Sequence, residues 1–387
     1  MDRKFWIGFG VSIALLALFF LTLDLGQLLE ALADANYLYV GPAIGLYIVS
    51  VLFRTLRWQR LLRHMRPIKV ARLFPVVVVG YMANNLLPVR LGELVRSYYV
   101  GEREAISKTS ALVTIFIERL LDALTLLLFI AAIAVFVPLV GLAEAFAERS
   151  GVSWPVLVMA LSLPFVVAFV SLLLVAFAPV RARSLAMALF KPLPGELGAR
   201  LAYMFDLLLE GLHSLRSLRS VLGLFLLSVP IWLFEAGLFF VIGFSFGLHQ
   251  MYDTLWEMAI ALVLVTAIAN IGGSIPAAPG GLGLFELVAR ETLVLLPLAE
   301  VDRGVAGAYV AVVHAAPLLP MIVLGQVFLW GQHVSLGSLS RAGRSVTPRD
   351  VETPGQRDSS RGADAQATAP SAEAQQELAN EGTNVDV

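Results

Sequence analysis

The sequence predicts an all-α polytopic membrane protein, with about six full spans and two re-entrant, broken-helix hairpins (eight-helix-like) arranged as an inverted repeat. Three observations carry that prediction. Apolar residues make up 58% of the 387 and charged residues 15%, against roughly half and a quarter in soluble domains. The excess lies in long apolar runs rather than scattered positions, which is the signature of membrane spans. Basic residues also concentrate in alternate loops, as they do on the cytoplasmic side of a membrane.

A bilayer core about 30 Å thick needs roughly 20 apolar helical residues. Full spans fit at about 5–23, 37–56, 108–138, 154–178, 219–247 and 304–332. The first run lacks a small-x-small cleavage site before Asp24 and Gln27, so it reads as an uncleaved helix rather than a signal peptide. The loop 57–72 carries Arg57, Arg60, Arg63, Arg66, Lys69 and Arg72 with no acid, and 179–218 holds Arg181, Arg183, Lys191, Arg200 and Arg216. Segment 24–36 has only acids (Asp24, Glu30, Asp34), and 139–153 holds Glu144, Glu148 and a single Arg149. All four loops agree on one orientation, with the N-terminus and the C-terminal tail cytoplasmic in a cell membrane.

Two stretches fit poorly as simple spans. Residues 73–100 are apolar until Asn84-Asn85-Leu86-Leu87-Pro88-Val89-Arg90-Leu91-Gly92-Glu93; residues 256–297 are broken at Gly272–Gly283. Each reads as a helix, a tight break and a second helix entering and leaving on one face; the second also reads as two complete short helices joined by a Gly/Pro loop. The order span, span, hairpin, span then occurs twice, in halves at about 1–140 and 150–335 of a membrane domain 1–338. Each half crosses an odd number of times, so the second is inverted, an arrangement that recurs in transporters with the site at the repeat interface. Residues 179–218 have no counterpart and read as amphipathic helices on the inner leaflet. Residues 339–387 are too polar to bury a core and read as a disordered cytoplasmic tail.

A helix that starts inside a membrane aims free N–H groups and a positive dipole end at whatever sits there. Both breaks place such a start after a proline, at Val89 and at Gly281, and Pro88, Gly92, Pro276, Pro279, Gly280, Gly281 and Gly283 shape the turns. Together they suggest an anion cradle, though the same glycines also serve close helix packing. Arg90, Glu93 and Arg96 cluster beyond the first break, Glu118, Arg119 and Asp122 lie in the third span, and Glu286 follows the second break. Ionisable groups at membrane depth pair or line a cavity, and arginine suits bidentate phosphate recognition. Arg90, Glu93, Arg96, Glu118, Arg119 and Glu286 are the candidate headgroup-binding residues. Glu93 and Arg96 also share a helix face and suit an ion pair, and Glu118 and Asp122 suit a buried network with Arg90 or Arg96. Asn84 and Asn85 offer hydrogen bonds to a ligand or to the broken backbone, and Asp122, Glu235 and His314 are candidate proton relays.

With no cysteine, disulfides, thiolate metal sites and cysteine nucleophiles are excluded. No zinc-ligand spacing, P-loop, nucleotide fingerprint or catalytic Ser–His–Asp order is present, so no metal, cofactor, nucleic-acid partner or catalytic residue is assigned.

The ordered set Asn84-Asn85-x-x-Pro88-x-Arg90-x-Gly92-Glu93-x-x-Arg96, Glu118-Arg119 and Ile275-Pro276-x-x-Pro279-Gly280-Gly281-x-Gly283-x-x-Glu286 resembles the lysylphosphatidylglycerol synthase transmembrane-domain family, also called flippase-like or UPF0104. The resemblance runs from about residue 5 to 332. It implies membrane-lipid handling without aminoacyl transfer, because the soluble domain that performs that chemistry has no counterpart in this sequence. The expectation is translocation of an anionic or phosphate-bearing lipid, a phospholipid or polyprenyl-phosphate-linked, between leaflets. The alternatives are an integral membrane transferase or accessory subunit acting on a lipid-linked sugar, and a non-transporting scaffold.

Overall fold

A computed structural model describes residues 25–331 apart from 88–90, 138–140, 142–143, 145–147, 149–150, 152, 194 and 274–280. The predicted span at 5–23 and the predicted tail at 339–387 lie outside the described residues. Within them, every regular element is a helix. The α-helices are α1 (Leu25–Asp34), α2 (Val40–Leu62), α3 (Val70–Leu86), α4 (Gly92–Glu104), α5 (Lys108–Ile133), α6 (Trp154–Phe177), α7 (Pro179–Phe190), α8 (Gly195–Gly211), α9 (Leu218–Ser245), α10 (Leu255–Gly272), α11 (Leu284–Leu295) and α12 (Arg303–Trp330). The acidic segment after the first predicted span is therefore mostly helix, not loop.

Local sequence sets several of the starts. Ser107, Ser217, Thr254 and Asp302 each stand just before a helix and accept a first-turn N–H through the side-chain oxygen, which satisfies a donor the helix itself leaves free. The composition sets the faces. Val76, Val77, Val78 and Val79 of α3 are all buried, as expected of a helix apolar all round and enclosed by others. On α6 the apolar side chains of Val156, Leu163, Val170 and Leu174 are exposed, as suits a helix facing lipid.

Among the described residues, five helices are long and apolar enough to cross a membrane: α2 with its preceding turn, α6, α9, α10 and α12. Helix α5 is 26 residues long, long enough to cross, but carries Glu118, Arg119 and Asp122 at its middle. Helix α10, expected as the first limb of a re-entrant hairpin, has 18 residues and is sufficient by length and composition to cross alone. Its partner α11 has only 12 residues. In the first broken segment, α3 has 17 residues and α4 has 13.

The packing is matched crosswise between the two parts of the chain. Helices α2 and α9 lie antiparallel, with contacts in register from Asn36–Ser245 through Arg54–Glu235 and Arg57–Ser228 to Leu61–Ser214. The α3–α4 pair packs through α3 on α12 and through α4 on α5, and the α10–α11 pair packs through α10 on α5 and through α11 on α12. One apolar core gathers around Trp58, Val77 and Ile115, and another around Phe239, Leu262 and Tyr309. The basic stretch 179–218 forms α7 and α8, which pack on each other and share the exposed ion pair Arg183–Asp206 at 2.7 Å.

The tightest crossing is α3 on α4. A Cβ added to Gly92 would run into the Gly80 carbonyl oxygen and lie 2.6 Å from the Asn84 amide nitrogen. Both are backbone atoms and cannot step aside. Gly92→Ala is therefore expected to cost about 1–3 kcal/mol or more through forced separation of the helices. Gly45→Ala, where the added Cβ meets nothing within 4 Å, should be neutral or slightly stabilising. Thermal unfolding of the two purified variants in detergent checks this contrast; equal midpoints would refute it.

Candidate functional site

Where α2, α5 and α9 meet, the apolar packing is interrupted by a buried charge network. Arg54 and Arg57, three apart on α2, share a face that meets α5 and α9. The Arg54 guanidinium lies 3.3 Å from Asp122 and 2.5 Å from Glu235. Arg57, 1% exposed, lies 2.8 Å from the other Asp122 oxygen and donates to Ser228 at 2.7 Å. Trp232 Nε1 donates to Asp122 at 3.2 Å. From α4, Arg96 reaches Glu118 at 2.8 Å while its guanidinium stacks 3.7 Å above the Trp58 ring. Arg119 bridges Glu93 at 3.4 Å and Asp122 at 3.5 Å.

Four arginines thus face four carboxylates. An unpaired charge buried in an apolar medium is costly, and pairing lowers that cost without making the pair a large source of stability. The satisfaction is incomplete. Arg96 Nε and Nη2, Arg57 Nε, Arg119 Nε and both Glu118 oxygens are buried without a hydrogen-bond partner of good geometry among the described residues. Coulomb attraction holds them, with donors to spare.

Beside the network is a cavity of about 190 Å³, large enough to hold water. Arg54, Arg119, Glu235 and His314 line it, with the neutral polar side chains of Tyr47, Tyr81, Asn84, Asn85 and Asn270. Gly273 and Gly281, from the two sides of the second break, also border it. Gly281 and Gly283 have φ of +77° and +89°, a region open to glycine and strained for other residues. The cavity therefore draws on both parts of the chain and both broken segments.

The second break departs from its expected form. Helix α11 begins at Leu284 rather than Gly281, and Glu286 curls back so that its carboxylate accepts the Gly283 N–H at 2.7 Å. At this helix start the Gly283 N–H is taken by the protein's own Glu286 carboxylate. The other Glu286 oxygen lies 2.7 Å from His314 Nδ1, and the His314 ring lies 4.3 Å from that of Phe285. Helix α4 runs from Gly92, whose N–H donates to the Asn84 side chain at 2.9 Å. Asn84 and Asn85 thus stand in the last turn of α3, which runs to Leu86.

Of the residues singled out from sequence, Asn84, Asn85, Arg119, Glu235, Gly281 and His314 line the cavity. Glu93, Arg96, Glu118 and Asp122 stand in the network beside it, and Glu286 reaches it through His314. The expected Glu93–Arg96 pair is replaced, since each finds an opposite charge on α5 instead. Pro88, Arg90, Pro276, Pro279 and Gly280 lie outside the described residues. The sequence reading missed Arg54, an arginine inside a predicted span, although the cost of such a residue was signal enough. It also assigned Arg57 to the basic loop, whereas α2 continues to Leu62.

Residues 5–325 match the family described as the lysylphosphatidylglycerol synthase TM region. The chain belongs to this family. As a member of the lysylphosphatidylglycerol synthase TM family it is also similar to curated proteins. It is 27% identical to the glycosyltransferase AglD of Haloferax volcanii, over 91% of this chain and 58% of AglD. A UPF0104 membrane protein of Methanothermobacter thermautotrophicus is 33% identical over 32% of this chain and 37% of that protein. The UPF0104 membrane protein MJ1595 of Methanocaldococcus jannaschii is 29% identical over 28% and 33%. The chain thus spans less than two thirds of the length of each relative. No solved structure matches. The family match and the fold agree on a multi-span membrane protein.

Proposed function

We propose that this family member moves an anionic, phosphate-bearing lipid between the leaflets of the cell membrane, with the polar cavity as the headgroup's station on the way. The observation that carries the reading is the cavity's construction: two arginines, three asparagines and two tyrosines converge where α3 and α10 end against α2, α5 and α9, among helices otherwise packed with apolar side chains. A polar pocket there is costly unless something polar occupies it.

Arg54 and Arg119 are held by carboxylates yet border the cavity, so an entering phosphate exchanges one anionic partner for another. That keeps binding weak enough for release on the far side. The crosswise packing supports an inverted repeat with α3–α4 and α10–α11 as its paired hairpins, and the arginine-rich loops favour that face as cytoplasmic. In the absence of an ATP-binding motif, movement is downhill or ion-coupled.

The test is reconstitution of the full chain in liposomes with fluorescent phosphatidylglycerol or a labelled polyprenyl phosphate. A membrane-impermeant quencher should reach nearly all of the label rather than about half of it, and Arg119→Gln should slow that exposure. No translocation of either probe would overturn the reading.

A second reading rests on the similarity to a protein named as a glycosyltransferase over 91% of this chain: the membrane unit works on a lipid-linked sugar as transferase or accessory subunit. Product formed by the purified chain from a radiolabelled sugar donor would favour it.

A further inference from the structure

A second cavity, of about 730 Å³, opens where the end of α2 meets the start of α9. Its lining includes Arg60, Arg63 and His64 from the end of α2, His213 and Arg216 from the turn between α8 and α9, and Arg219 from the first turn of α9. We propose that this pocket binds a phosphate group, at a site separate from the central cavity.

The central network is neutral by pairing; this pocket is not. Among the described residues none of Arg60, Arg63, Arg216 and Arg219 forms an ion pair with a carboxylate, and their guanidinium groups make one hydrogen bond, a long one of 3.5 Å from Arg216 to the Leu209 carbonyl. Arginines that merely mark the cytoplasmic side would splay apart to reduce repulsion. Here three separate stretches of chain turn them into one cavity. Helix α9, 28 residues long, directs its positive end to the same place, with Ser217 and Ser220 at its first turn.

The turn is fastened rather than loose. Ser214 Oγ donates to the Leu61 carbonyl at 2.8 Å and lies 3.1 Å from His64 Nδ1, while the His64 and His213 rings stack 5.1 Å apart. Burial, and then the neighbouring His213, lower the His64 pKa below the usual imidazole value. The Nε2 of His64 is buried without a hydrogen-bond partner. Planar forks in a preformed pocket are the chemistry that recognises a phosphate. Six to nine residues of helix separate Arg54 from Arg60 and Arg63, about 9–13 Å. The two sites are therefore not one.

The ligand is a phosphate of a lipid headgroup at the membrane surface or of a soluble molecule, and one experiment separates these. The full chain in detergent is titrated with a fluorescent short-chain phosphatidic acid, followed by anisotropy, with and without inorganic phosphate. The Arg63→Gln/Arg219→Gln double variant should bind the lipid about tenfold more weakly. The control Arg181→Gln/Lys191→Gln, with the same charge change on exposed positions of the basic segment 179–218, should bind as wild type. Arg119→Gln should leave this component in place. Loss in the double variant without competition by inorganic phosphate assigns a lipid headgroup; competition assigns a phosphate group that needs no lipid. An unchanged affinity in the double variant, or an equal loss in the Arg181/Lys191 control, overturns the proposal.

Discussion

Asp122→Asn is expected to be the most damaging single substitution in the folded core, lowering stability by about 3–5 kcal/mol, the usual cost of removing one partner from a buried ion pair. Asp122 faces Arg57 at 2.8 Å, Arg54 at 3.3 Å and Arg119 at 3.5 Å, and accepts from Trp232. Asparagine keeps the shape but removes the charge, and half its hydrogen-bonding capacity becomes donors aimed at guanidinium groups. Three arginines on two helices then share the remaining Glu93, Glu118 and Glu235 with Arg96, and one positive charge in the interior has no counterpart. The comparison variant is Asp206→Asn, which breaks the Arg183 pair. That pair is exposed and worth about 0–1 kcal/mol. Thermal unfolding in detergent should separate the two variants clearly. Adding Arg57→Met to Asp122→Asn should recover part of the loss, because it restores charge balance; a double-mutant cycle measures that coupling. If Asp122→Asn unfolds as wild type does, the network is hydrated and contributes little to the fold.

The same residues explain what could be read from sequence. Apolar runs and loop charge were enough for the all-helical membrane class, because the bilayer penalises every alternative strongly. They were also enough to single out Glu118, Arg119, Asp122, Glu235 and His314, since each ionisable residue in an apolar run stands out individually. Pairing was not legible. Glu93 has Arg96 three residues away on its own helix, yet it meets Arg119, because α4 packs on α5 and brings that guanidinium closer. Glu286 and His314 are 28 positions apart, and only the packing of α11 on α12 joins them. Arg57 was lost to a spacing effect. The arginines and lysine at 57, 60, 63, 66, 69 and 72 form a run with one step of three, which hides the point at which α2 leaves the apolar interior. The helix starts at Gly92 and Leu284 depend on Asn84 and Glu286 folding back on the backbone, a choice made by side-chain geometry rather than by propensity.

Glu286→Gln is expected to slow lipid translocation about tenfold or more while leaving the fold intact. Glu286 does two things at once: one oxygen caps the start of α11 through Gly283, and the other holds His314 at the cavity's edge. Glutamine keeps a carbonyl oxygen for the Gly283 N–H but loses the negative charge, so the helix start survives while the charge-assisted bond to histidine, worth about 1.5–3 kcal/mol, does not. At 1.4 kcal/mol per factor of ten, that corresponds to about one or two powers of ten if the pair acts in the rate-limiting step. Glu286→Ala should do more, since it also uncaps α11 next to Gly281 and Gly283, both with positive φ, and should lower the unfolding temperature as well. His314→Gln separates the remaining roles. If the histidine only braces Glu286, glutamine restores a hydrogen bond and most of the transport; if it carries a proton, transport stays low and loses its pH dependence. Wild-type rates in both Glu286→Gln and His314→Gln liposomes would remove this pair from the mechanism and leave Arg54 and Arg119 as the groups that meet the headgroup.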